Sequence, residues 1–272
     1  MIRTLLLALT ISASAQELST PIQKDSKYTY ADLLRLICPD LKIDKVDPAI
    51  ASATKSVPIR TLGSKDPPES WDGEIQVENV NTLDAKISGP PQLLLMFDIK
   101  ADGDDAHHPT GELALFDIAA APRLLDIVES PSMPDDHGSL WGHGLLHLNP
   151  TSDAFVFETN HSNSSQGYQA FTILFVNRGR IRQIADVMLL SCNYCNGGTF
   201  HESATISAAS NQITIRVVLK LLPNPDYIEH PRRTKTSTRI YSTTYRWNAA
   251  KQKYIPTSNA LSLLEAFNQK NY

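Results

Sequence analysis

The chain has 272 residues, of which 42% are hydrophobic and 20% charged, with a formal net charge of −4. Those fractions sit near the globular average, so composition excludes a disordered chain, and the mixed, slightly acidic charge argues against nucleic acid as a partner. No apolar run reaches the roughly 20 residues that span a bilayer as a helix, so no transmembrane segment is expected.

At the start of the chain, Met1, Ile2 and Arg3 precede an apolar run over 5–11, and Ala13-Ser14-Ala15 supplies the small-x-small pattern that a signal peptidase reads. This predicts a signal peptide over 1–15, cleavage near Ala15, and a periplasmic or secreted protein. Residues 16–27 are polar and aperiodic, which reads as an exported linker. Thr29 is placed to cap a short helix in which Leu33, Leu34, Ile37 and Cys38 fall at helical spacing before Pro39 ends it. The stretch 41–70 is rich in Pro, Ser, Lys and Asp without a sustained period, as in an irregular wrap or linker. Residues 16–70 thus precede a main domain over 71–272.

From Glu74 onward, short apolar or alternating runs are separated by Gly, Asn, Asp and Pro, the pattern of an all-β antiparallel structure. Twelve strands are expected, near 74–80, 92–100, 111–118, 123–129, 143–148, 154–160, 168–176, 180–190, 201–208, 212–220, 236–247 and 253–256. Their spacing suggests three runs of about four strands, as antiparallel meanders in an incomplete propeller-like array, a curved sheet or a sandwich. Asn177-Arg178-Gly179, Ser210-Asn211 and Asn248-Ala249-Ala250-Lys251 mark hairpin turns. Ile213, Ile215 and Val217 alternate with Thr214 and Arg216, so that sheet is expected to be apolar on one face and wet on the other. A last helix is expected from Ser258, with Leu261, Leu264, Ala266 and Phe267 as its apolar stripe.

Only three cysteines occur, an odd number for an oxidising compartment. Cys192 and Cys195 follow a strand expected to end near Ser191 and lead into Asn196-Gly197-Gly198. A thioredoxin-like pair opens a helix inside a βαβ unit, so a local disulfide is the first expectation here. The alternative is a metal site completed by Cys38 or His201. Cys38, on the apolar face of the first helix, reads as a buried thiol.

Two groups of residues suit metals. In the segment 98–105, Asp98, Asp102 and Gly103 stand at the first, fifth and sixth positions of a calcium loop, with Asp104 beside them. With a strand on either side, this segment resembles a degenerate FG-GAP repeat, which implies an extracellular propeller unit binding calcium. Lys100 at the third position and Ala106 at the ninth depart from that family's pattern. The plain alternative is a solvated acidic hairpin. Farther on, His137, His143 and His147 lie close together with Asp135 and Asp136, and His143 and His147 stand on one face of a strand, as two zinc ligands would. A solvated histidine face is the alternative reading, with Gly142 and Gly144 marking a bulge.

The tract 158–168 is rich in hydrogen-bonding side chains, and Glu158, Asn160, His161, Asn163, Gln166 and Tyr168 would suit a glycan or another polar ligand if it forms a connecting loop. No GxSxG elbow or SxxK pair points to a nucleophile. The carboxylates of Glu112 and Glu158 are the sort a glycoside hydrolase pairs, without any spacing that links them. The sequence is thus read as an exported, non-enzymatic binding or interaction module with a protein or glycan partner. A metal-dependent hydrolase using the histidine cluster and a structural envelope-associated protein are the alternatives.

Overall fold

The computed structural model describes residues 16–101, 110–129, 143–162, 166–195, 198–223 and 235–271. The chain is all-β, with a helix near each end, and its strands form two antiparallel-rich sheets that do not close. The first sheet holds seven strands in the order β1-β2-β4-β5-β6-β7-β3. They are β1 (Lys42–Ile43), β2 (Ala51–Lys55), β3 (Arg60–Thr61), β4 (Asp72–Leu83), β5 (Gln92–Ala101), β6 (Thr110–Asp117) and β7 (Arg123–Glu129). The second holds eight in strict chain order: β8 (His143–Asn149), β9 (Ser152–Ser162), β10 (Gln166–Asn177), β11 (Arg180–Cys195), β12 (Gly198–Ala209), β13 (Gln212–Pro223), β14 (Ser237–Asn248) and β15 (Lys253–Pro256). Three runs of four strands do not form; everything from β8 to β15 is one meander. Three short strands also arise inside 42–61, where an irregular wrap is expected, because strands of two to five residues are too short to carry a visible period.

The chain divides into two compact units, one running up to Gly144 and including Phe175–Gln183, the other made of Leu145–Leu174 and the chain from Ile184 onward. In the first unit, helix α1 (Tyr30–Arg35) opens with a capping box. The Thr29 hydroxyl accepts from the Asp32 N–H at 3.4 Å, and the Asp32 carboxylate accepts from the Thr29 N–H at 2.9 Å. Leu33, Leu34, Ile37 and Cys38 are buried against Val77 of β4, Leu95 and Phe97 of β5, and Ala114 and Phe116 of β6. Glu112, only 1% exposed, stands two residues before Ala114 and so on the same face of β6. Burial pushes the free Cys38 thiol up to about 12, with the negative charges of Asp40 and Glu112 adding to the effect. The tip segment Phe175–Gln183 is held by the Asp126 carboxylate of β7. That group accepts from the Ile181 N–H at 2.8 Å and from Arg60 at 2.8 Å, while Arg60 also donates to the Ile181 carbonyl at 3.0 Å. Arg178 and Gly179 both take positive φ, the two-residue turn that matches the twist of paired strands.

In the second unit the expected alternation is present. Ile213, Ile215, Val217, Leu219 and Leu221 are buried, while Arg216 and Lys220 are exposed. Ser210 and Asn211, again at positive φ, join β12 to β13 and fix their register from Ala209↔Gln212 onward. Helix α2 (Ala260–Asn271) packs on the apolar face, where the Phe267 ring meets Phe200 edge-on at 6.3 Å and Arg239 lies 5.3 Å from the Phe267 centroid. Each fully buried Ile or Leu contributes roughly 2 kcal/mol, so this face anchors the unit. The buried stripe of α2 contains Leu264 and Asn268, whereas Ala266 is exposed. A search for apolar spacing passes over Asn268 because its side chain is polar.

Candidate functional site

The residues singled out from the sequence do not come together. Asp98 lies within β5, where burial raises its carboxyl against the opposing hydrogen bond from Asn79, whose amide donates at 2.7 Å from a bulge in β4. Asp102, Asp104 and His137 lie outside the described residues, as does the side chain of His143 on β8. His147, 71% exposed, shares a 2.7 Å hydrogen bond between its Nδ1 and the Asp153 carboxylate, which is 2% exposed. Among the described residues, no three His, Cys, Asp or Glu side chains are placed to hold one metal ion.

The tract 158–168 is not a loop. β9 runs to Ser162 and β10 starts at Gln166, so all but 163–165 belongs to a hairpin. Polar residues fill the wet face of a strand as readily as a loop, which is why the tract reads ambiguously. Glu158 accepts a hydrogen bond from Gln169 of β10, and Tyr168 packs against the cluster of Leu190, Cys192, Phe200, Leu219 and Leu221. The side chains of Asn160, His161 and Gln166, and all of Asn163, lie outside the described residues. β11 continues past Ser191 to Cys195, and Cys192 is buried. A surface cavity of about 350 Å³ over β1, β2 and β4 is lined by Asp40, Lys42, Asp44, Thr54 and Glu74. Its nearest acids already serve the backbone: Asp40 accepts from the Thr54 N–H and hydroxyl, and Asp44 from the N–H groups of Val46 and Asp47.

The second sheet carries two polar features that have no motif. Under α2, Glu202 of β12 is 4% exposed and accepts from the Leu190 N–H at 2.9 Å and the Asn268 amide at 3.1 Å, both on Oε2. Its Oε1 and the Asn268 Oδ1 are buried and have no hydrogen-bond partner among the described residues. Burial pushes the Glu202 carboxyl up, against the pull of those two donors. Thr243 of β14 is buried on the same side.

The opposite face is assembled by the register. Ser203, Val218 and Ile240 lie in one cross-strand row, Thr205, Arg216 and Ser242 in the next, and Ser207, Thr214 and Thr244 in a third. Gln212 pairs with Arg246, Lys220 with both His201 and Thr238, and Lys253 of β15 with Asn248. The Thr214 and Thr244 hydroxyls are 3.0 Å apart and share a hydrogen bond. Across β12–β15 this face therefore presents Arg216, Lys220, Arg246 and Lys253, together with His201, and not one Asp or Glu among the described residues. None of the five makes an ion pair among the described residues. In a chain whose net charge is −4, four cations on an acid-free face amount to a local reversal of sign.

The alternation of β13 alone marks a wet face but not its charge, because the partners of Arg216 and Lys220 are set by hairpin registers. Once the Ser210-Asn211 turn is taken as a two-residue connection, the pairing of β12 with β13 follows, and summing charge over each face would have found the patch. No protein-family model, no curated protein and no solved structure matches this chain.

Proposed function

We propose that this chain is an exported, non-enzymatic binding module that lays the outward face of β12–β14 on an extended polar ligand. One observation carries the reading: a broad sheet face, lined by the hydroxyls of Ser203, Thr205, Ser207, Thr214, Ser242 and Thr244, whose cations are left without carboxylate partners. A sheet backed by a helix holds the backbone spacing of these positions fixed before a ligand arrives, so the ordering cost on contact is confined to the side chains. Binding is thus assigned to the face of the sheet rather than to its connections. The leader over 1–15 supports export. A disulfide between Cys192 and Cys195 fits that compartment. Cys192 pairs with Phe200 and Cys195 with Gly198, so a bulge on β11 brings the two positions into step on the ladder. Saturable binding of the mature chain, from Gln16, to any member of a panel of soluble polysaccharides would support the module, and failure to bind every member would overturn it.

A second reading, a hydrolase, draws on His147 and Asp153. A buried carboxylate at 2.7 Å orients an exposed imidazole, as it does in general-base pairs. Zinc retained through purification and removed by chelator, with hydrolysis lost alongside it, would favour that reading.

A further inference from the structure

Resting on the binding-module reading, we infer that the ligand of the outward face is an acidic polysaccharide, a sugar polymer with a carboxylate or sulfate on successive residues. Three features of the face lead to this class. Arg216 and Lys220 are four residues apart on β13, and Arg246 pairs with Gln212, four residues the other way. At about 3.4 Å per residue, these three positions form a line roughly 27 Å long. A line of separated cations matches an extended polyanion better than a single small anion, which would need the three to converge.

The row of Ser207, Thr214 and Thr244 fills the interval between Arg246 and Arg216, Thr205 and Ser242 flank Arg216, and hydroxyl-to-hydroxyl hydrogen bonding is the means by which an uncharged part of a sugar is held. Arg adds a planar fork that meets a carboxylate or sulfate bidentately. Among the described residues of β12–β15, the His201 imidazole is the one aromatic ring on this face. Tyr241, Tyr245 and Trp247 of β14 alternate onto the side that α2 covers, so a run of nucleic-acid bases would find no row of rings to stack on. Ile240, 57% exposed, has Val218 beside it with Ser203 beyond, and Leu222 stands next to the cation Lys220 on the same face, so the apolar side chains are interrupted by polar and charged ones and form no continuous patch to enter a membrane.

The test uses the full mature chain and four probes: polygalacturonate, neutral dextran, single-stranded poly-dT and phosphatidylglycerol vesicles. Polygalacturonate is expected to bind at least tenfold more tightly than dextran and to weaken steeply with added salt. The triple variant Arg216→Gln, Lys220→Gln and Arg246→Gln is expected to lose about tenfold in affinity with an unchanged circular dichroism spectrum, because each exposed charge contributes a modest factor. Arg216→Gln alone should lose a few-fold, and Lys45→Gln, on the other unit, nothing. Equal binding of dextran and polygalacturonate would overturn the acidic class while leaving the binding module standing. Preference for poly-dT or vesicles would overturn the polysaccharide, a triple variant that binds like wild type would overturn the site, and no binding to any probe would overturn both this inference and the module.

Discussion

The two faces of the eight-stranded sheet are built from the same strands, yet they differ in every property that matters for folding and binding. On the side packed by α2, Ile213, Ile215, Val217, Leu219 and Leu221 are buried and the carboxylate of Glu202 is held by one backbone N–H and one amide. On the outward side of β12–β15, one residue along in each strand, hydroxyls and cations face solvent with no carboxylate among the described residues. Period-two alternation therefore sorts charge as well as apolarity. The inward face carries stability, and the outward face is left free to serve an interaction.

Neighbouring substitutions on β13 would break the comparison most sharply. Ile215→Ala is expected to lower stability by about 3 kcal/mol, since a cavity is left in a packed face, whereas Thr214→Ala should stay within about 0.5 kcal/mol. Urea unfolding of the two variants measures the contrast; similar losses at both positions would mean that the faces are not distinct. Next in size is Glu202→Ala, which strands the Leu190 N–H and the Asn268 amide in a buried site and is expected to cost about 2 kcal/mol in the same measurement.

The smallest effect concerns pH. Because burial raises the Glu202 carboxyl, the native state holds its proton more tightly than the unfolded chain does. Its contribution is complete below the ordinary glutamate range and is lost as pH rises through the raised value. Wild type should therefore lose stability relative to Glu202→Gln on going from acid toward neutral pH, and thermal melts of the pair across that range read the slope. A constant gap between them would place the ionised form comfortably in the site.

Much of this contrast was legible from residue order alone. The alternation over 213–217, the Ser210-Asn211 turn, the cap at Thr29 and the all-β class follow from short-range physics and appear in the structure. What stayed hidden depends on partners distant in the chain. Asn268 is buried because Glu202, 66 residues earlier, needs a donor. β3 joins its sheet by a parallel pairing of only two residues, Arg60↔Val128 and Thr61↔Glu129, which no periodicity announces. Arg216 meets Ser242 across a ladder, so the acid-free face is a property of three strands together. The tract 158–168 reads as a connecting loop because the polar residues that fill one are also those of a wet strand, and the pairing of β9 with β10 decides between them.

The most direct test of the central claim, that the outward face is the one that binds, is lysine acetylation of the mature chain with and without polygalacturonate, read residue by residue by mass spectrometry. Lys220 and Lys253 should be protected by the polymer, while Lys42 and Lys45 on the other unit should be labelled equally in both samples. Unchanged labelling of Lys220 and Lys253, or stronger protection of Lys42 and Lys45, would contradict it.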